Sequence, residues 1–233
     1  MNKKHVVIAR VLAALLINVG CAFSEQLEIE LKPHEEWWEY NCETHGDCFR
    51  QWVGDKNAPS RVAIRTHVRA QKYESIIDVA CGLCIDYDGF QADHMVIAYQ
   101  GLDITPKLIK AALDRGVPAR QGSIENIPLA DCSFDIAYAR HILEHLMYYE
   151  NAVKELIRVA AKEVLIVFFI KPSAAPDFID GQANEITQGY LLYHNVYNKE
   201  KLENYIKNFH KVSGFEWQEI GTQEIILHIY LKQ

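Results

Sequence analysis

The chain has 233 residues, enough for one α/β domain with a full core and too few for two comfortable ones. Hydrophobic residues make up 49% and charged residues 24%, which argues against a disordered chain. The formal net charge of −7 disfavours general binding to nucleic acid, because that requires a basic face.

Residues 1–24 stand apart from the rest. Lys3, Lys4 and Arg10 make a positive start, and Val11 to Phe23 is apolar apart from Asn18. Ala22-Phe23-Ser24 then places small residues around a cleavage position. This is the layout of a secretory signal peptide, and the apolar stretch is short for a membrane span. A packed helix or a loose anchor fits the same pattern, and any membrane contact is expected only through this segment. Residues 25–233 are read as one domain: an extension to residue 74, a core over 75–170, and a C-terminal part over 171–233. Cys42, Cys48, Cys81, Cys84 and Cys132 follow the leader, an odd number that cannot all pair within one chain.

Residues 25–60 are polar and aromatic, with Trp37, Trp38, Tyr40 and Trp52. Asn57-Ala58-Pro59-Ser60 reads as a turn, with Ser60 capping a helix from Arg61 to Tyr73. A buried strand, Ser75 to Ala80, runs into Cys81-Gly82-Leu83-Cys84. A second apolar run, Met95 to Leu102, ends at Asp103, and Pro106 opens a helix through Asp114. Val117 to Gln121 and Ser133 to Tyr138 are the next strands, separated by the loop Gly122 to Asp131. A helix is expected from His141 to Val159, with Ile142, Leu146, Val153 and Leu156 on its apolar face. Glu163 to Ile170 is hydrophobic without alternation, as in a central strand covered on both faces. Lys171 to Val196 is irregular. Asn198 caps a helix to about Lys211, Gly214 stops it, and Phe215–Ile220 and Glu224–Leu231 form an antiparallel pair. Strands alternating with helices indicate a mainly parallel sheet.

Three features fall in order on this frame. The first strand ends in Asp78-Val79-Ala80-Cys81-Gly82, where glycine admits a ligand close to the backbone. The second ends in Asp103, an acid placed to accept hydrogen bonds from ribose hydroxyls. Both lie at carboxyl ends of strands, where open α/β sheets bind ligands. Together they point to a nucleoside-containing cofactor.

Ile76-Ile77-Asp78-Val79-Ala80-Cys81-Gly82 followed by Gly101-Leu102-Asp103-Ile104-Thr105-Pro106 resembles the first two motifs of class I S-adenosylmethionine-dependent methyltransferases. Gly122-Ser123-Ile124-Glu125-Asn126-Ile127-Pro128-Leu129 and Ser133-Phe134-Asp135-Ile136 resemble their adenine loop and fourth strand. Ala139-Arg140-His141-Ile142-Leu143-Glu144-His145-Leu146 is similar to the segment that follows. The likeness covers Ser75 to Ile170 and implies a Rossmann-like, seven-stranded, mostly parallel sheet with an antiparallel last strand and helices on both faces. It implies S-adenosylmethionine as cofactor, with Asp78 and the backbone of Ala80, Cys81 and Gly82 along its methionine portion. Asp103 would hold the ribose, Ile104, Ser123 and Ile124 would flank the adenine, and Arg140 would sit near the methionine end or the acceptor. The sequence departs from the family at Ala80 and Cys84, where glycines are common, and at Ser123, where an acid is common. A cofactor of the cytosol and a leader that reads as export are conflicting expectations about compartment.

The implied chemistry is displacement at an activated methyl group, so the protein mainly aligns reactants and excludes water. His141 is the candidate base, with Glu144, His145 and Tyr138 behind it. A small-molecule acceptor is expected, since the acidic charge offers nothing to nucleic acid. Oligomeric state is not encoded legibly.

Competing readings attach to the same residues. Cys81-Gly82-Leu83-Cys84 has the spacing of a thiol–disulfide pair, which with a leader would suit an exported oxidoreductase. His141-Ile142-Leu143-Glu144-His145 matches a zinc-hydrolase pattern, but no third ligand is evident and no metal site is assigned. Cys42, His45 and Cys48 could also be ligands, although a polar loop explains them. A binding or scaffold module that has lost catalysis is the remaining alternative. The tryptophan-rich segment could wall the acceptor or pack on the sheet, and so could Tyr190, Tyr193, His194 and Tyr197.

Overall fold

A computed structural model describes residues 31–42, 54–185 and 187–232, all within the compact unit Leu31–Gln233. The leader, His45, Cys48 and Trp52 lie outside the described residues. Among those described, no helix is long and apolar enough to cross a membrane.

The strands are β1 (Ser75–Val79), β2 (Ala98–Asp103), β3 (Ala119–Gln121), β4 (Phe134–Arg140), β5 (Ala160–Phe168), β6 (Gly181–Gln182), β7 (Leu192–Tyr193), β8 (Val212–Ile220) and β9 (Glu224–Leu231). The helices are α1 (33–42), α2 (Pro59–Gln71), α3 (Ile85–Ala92), α4 (Pro106–Asp114), α5 (Glu150–Val159) and α6 (Lys199–Lys207). Seven strands form one sheet in the order β3-β2-β1-β4-β5-β9-β8, parallel through β5, with β9 antiparallel to both neighbours. Strand order reverses between β1 and β4, so a crevice opens beyond their carboxyl ends.

Both sheet faces are buried, and the period-two alternation divides the strands between two cores. Ile77, Val79, Ala137, Ala139, Val164 and Ile166 face α5 and α6, which contribute Leu156, Leu202 and Ile206. Ile76, Ile136, Tyr138, Leu165, Val167 and Ile226 face the other way, onto Ile64 and Val68 of α2 and Phe90 of α3. This explains why β5 reads as an unbroken apolar run.

Several boundaries differ from expectation. Helix α2 begins at Pro59 after Ala58, so Ser60 is inside the helix and its hydroxyl donates to Glu224 Oε1 at 2.9 Å. The expected helix from His141 to Val159 is broken into a 3₁₀ turn, Leu143–His145, and α5. His141 adopts φ 56°, a left-handed conformation that no α-helix can include. The buried Glu144 carboxylate further holds that turn against the end of β5, with Oε1 accepting from Phe169 N at 2.7 Å. Gly214 lies within β8 rather than stopping a helix, because α6 already ends at Lys207. Asn198 does cap α6, its side chain accepting from Lys201 N at 2.8 Å.

Candidate cofactor and acceptor cavity

The β1–α3 turn shows what became of the eroded glycine motif. Ala80, Gly82 and Cys84 have φ of 59°, 54° and 55°, all in the left-handed region. The backbone therefore keeps the path that glycines would follow, and Ala80 and Cys84 bear strain of about 1 kcal/mol each. Cys81 N donates to Leu102 O at 3.0 Å, tying the turn to β2. Cys81 and Cys84 are free thiols with sulfurs 3.2 Å apart. They rest on Gly101, where a β-carbon would come within 2.7 Å of Cys84 Sγ and 2.9 Å of Cys81 Sγ. Burial pushes the Cys81 thiol well above its ordinary range, the opposite of the low value that a reactive redox thiol needs.

Asp103 ends β2 with both oxygens engaged by backbone: Gly82 N donates at 2.8 Å and Thr105 N at 2.9 Å. A carboxylate offers about four lone-pair positions, so these two backbone donors do not exhaust it. Asp78 is buried, accepts from Tyr99 Oη at 2.6 Å, and is pushed up to about 6 by desolvation.

These residues open on a cavity of about 420 Å³. Asp78, Ala80, Cys81, Gly82, Asp103, Ile104, Ile124, Arg140 and His141 all lie on its wall. Ser123 does not; its hydroxyl faces Glu35 Oε1 at 3.4 Å. The loop bearing Ile124 is clamped from α5, where Arg158 donates to Ile127 O at 2.8 Å and Leu129 O at 2.7 Å. Glu155 completes the clamp by accepting from Ile127 N at 2.8 Å.

Sequence reasoning passed over several wall residues. Arg61 and Asp86 form a buried ion pair there, brought together by the packing of α2 on α3. Thr105 Oγ1 and Asp86 Oδ1 are buried on this wall without hydrogen-bond partners, as expected where a polar ligand would satisfy them. Glu224, at the start of β9, gathers three donors on Oε1: Ser60 Oγ at 2.9 Å, Arg140 Nη2 at 2.8 Å and His141 Nε2 at 2.7 Å. These contacts hold Glu224 at about 2, against the opposing effect of burial. Desolvation lowers His141, so its imidazole is neutral at neutral pH.

The other end of the cavity is aromatic. Trp37, Trp38, Phe169, His145 and His194 line it, together with Leu192, Ile142 and Leu146. The rings of Trp38 and His194 meet His145 edge-on at 5.0 and 5.2 Å, and Phe169 lies 5.4 Å away. Of the other aromatics, Tyr40 stacks on Tyr190 at 4.7 Å, and Tyr197 is buried with its hydroxyl donating to Leu143 O at 2.8 Å. The zinc-hydrolase pattern is dispersed. His141 turns to Glu224, Glu144 to the backbone of Phe169, and His145 Nδ1 to Tyr193 O at 2.7 Å.

Residues 77–168 match the family model described as a methyltransferase domain. Ajmaline N-methyltransferase of Rauvolfia serpentina is 29% identical over 111 residues, 42% of this chain and 36% of that protein. The chain thus spans about a third of the length of the curated relatives it matches. The fold is shared with magnesium protoporphyrin IX methyltransferase from Synechocystis, solved with bound SAH. The TM-score is 0.60 at 12% identity, over 84% of this chain and 98% of that one. A possible histamine N-methyltransferase from Thermotoga maritima superposes with a TM-score of 0.59 at 13% identity, over 84% and 99% of the two chains. The glycine turn, Asp103 and the matched domain thus lie on one sheet, and over residues 77–168 the chain is similar to methyltransferase domains, on a fold shared with S-adenosylmethionine-dependent methyltransferases.

Proposed function

We propose that this chain transfers the methyl group of S-adenosylmethionine to a small, largely apolar acceptor, with His141 as the base. The observation that carries this reading is the continuity of one cavity, from Asp103 and Gly82 to the aromatic wall of Trp38, His145 and Phe169. When bound, the cofactor supplies a methyl carbon activated by positive sulfur, released to the acceptor as the carbon–sulfur bond breaks.

The protein's residues bind, orient and exclude water. Asp103 and Thr105 receive the ribose, and Ile104, Leu108 and Ile124 enclose the base between aliphatic surfaces. Asp78 and Asp86 face a cationic ammonium group, while Arg61 and Arg140 offer their charge to a carboxylate. Trp38, Phe169 and the uncharged imidazole of His145, lowered to about 4 by burial, favour a flat apolar acceptor. Glu224 keeps the proton of His141 on Nε2, which leaves Nδ1 as the basic nitrogen. That nitrogen takes the proton the acceptor loses as the new bond to carbon forms.

Calorimetric titration of the full chain with S-adenosylmethionine, beside Asp103→Ala with its fold checked by circular dichroism, tests this. Loss of a charge-assisted hydrogen bond predicts binding about 10- to 100-fold weaker in the variant. No binding to the folded wild-type chain, or equal binding by the variant, would refute the assignment.

A further inference from the structure

A second cluster of chemistry-bearing side chains lies at the other end of the sheet. Glu163, at the amino end of β5, is fully buried. Its Oε2 lies 2.7 Å from His67 Nε2 of α2 and accepts from Tyr73 Oη at 2.8 Å. Its Oε1 lies 2.8 Å from His228 Nδ1 of β9. The three donor atoms all fall within 4.8 Å of one another.

His228 makes this more than a network of hydrogen bonds. Its second ring nitrogen, Nε2, lies 3.1 Å from Gln218 Oε1. A neutral imidazole has one donor, yet here both nitrogens face acceptors. With the proton on Nε2 and given to Gln218, the Nδ1 lone pair points at a carboxylate oxygen, an arrangement that a cation bound between the two would reconcile. A partner that accepts from the far nitrogen is the usual support of a metal-ligating histidine.

We propose that His67, Glu163 and His228 bind one divalent d-block cation of the zinc class. Two imidazoles and a carboxylate suit zinc, cobalt or ferrous iron rather than calcium or magnesium. Bonds of about 2.0–2.1 Å at a tetrahedral centre place ligand atoms roughly 3.3 Å apart, so contacts of 2.7 and 2.8 Å need open only slightly. His67, with its side chain 19% exposed, provides the way in, and Tyr73 or water would complete the sphere. Lys162, 5.7 Å from the Tyr73 ring, is neutralised by Asp135 at 3.0 Å. The cation would pin α2 to β5 and β9, and α2 carries Ser60 and Arg61 toward the cofactor cavity. The site does not depend on the methyl-transfer reading.

The full chain, freed of metal by a chelator, is titrated with Zn²⁺ by calorimetry and with Co²⁺ by absorption. One equivalent should bind, raising the melting temperature, and the cobalt complex should show visible bands without thiolate charge transfer. His67→Ala, at the only partly exposed edge of the cluster, should weaken binding at least tenfold with the fold checked by circular dichroism. Absence of saturable binding would mean that the Gln218 amide is turned over and the cluster is held by protons alone. Thiolate charge-transfer bands, or unchanged affinity in His67→Ala, would place the metal elsewhere and overturn the proposal.

Discussion

Asp78→Asn should stabilise the chain in a pH-dependent way while weakening the cofactor. Asp78 is buried and has a single side-chain hydrogen-bond donor, Tyr99 Oη at 2.6 Å. Desolvation raises its pKa from 3.8 to about 6. A carboxyl whose folded pKa exceeds its unfolded value is protonated more in the native state, so stability falls as pH rises across that interval. Each pKa unit corresponds to about 1.4 kcal/mol, which makes the ionised group cost at most about 3 kcal/mol above pH 6 and almost nothing below pH 4. Asparagine keeps an acceptor for Tyr99 but brings a buried amide donor, a cost of about 1 kcal/mol. The net expectation is a gain of about 2 kcal/mol at pH 8, passing to a small loss at pH 4. Urea denaturation of both proteins at the two pH values measures it. An equal effect at both pH values, or a loss that grows with pH, would refute the argument. Calorimetry should show weaker S-adenosylmethionine binding by the same variant, since the cavity would lose an anion.

Further outcomes follow from the same geometry. Glu224→Gln removes the negative charge shared by His141, Arg140 and Ser60 and leaves only a neutral amide oxygen to accept from them. It should lower kcat about 10-fold or more and move the acid limb of the pH–rate profile downward, because Glu224 raises the His141 pKa; a profile that stays put would deny Glu224 a positioning role. Gly101→Ala drives a methyl group into Cys84 Sγ and Cys81 Sγ, costing about 1–3 kcal/mol by urea denaturation. Much of that loss should return in a Cys81→Ala, Cys84→Gly background, whereas an equal loss in both backgrounds would mean that the thiols are not the obstacle. Ala80→Gly relieves a φ of 59° but frees the unfolded chain, so its stability change should stay within about 1 kcal/mol and leave cofactor affinity intact.

Ordered local signals carried the sheet. Apolar runs, the turn at Gly82, the terminal acid Asp103 and the capping Asn198 each act over a few residues, and such short-range chemistry is written in sequence order. The break at His141 was not, because a left-handed residue and a buried Glu144 interrupt an apolar pattern that by itself suits a helix. The altered glycine motif shows the same limit from the other side. Ala80 and Cys84 suggest a changed turn, yet tertiary ties from Cys81 to β2 and from Gly82 to Asp103 hold the left-handed path.

Residues drawn together from distant elements were beyond any reading of spacing. His141 and Glu224 are 83 positions apart, and His67 and Glu163 are 96 apart. Nothing local marks either pair, since an isolated glutamate reads as a solvated charge. Sequence alone determined the order of strands and helices, and with it the carboxyl-end crevice where Asp78, Gly82 and Asp103 meet. Tertiary structure decided which side chains meet, because the antiparallel β9, paired with β5, brings Glu224 to His141 beside that crevice and His228 to Glu163 at the far end of the sheet.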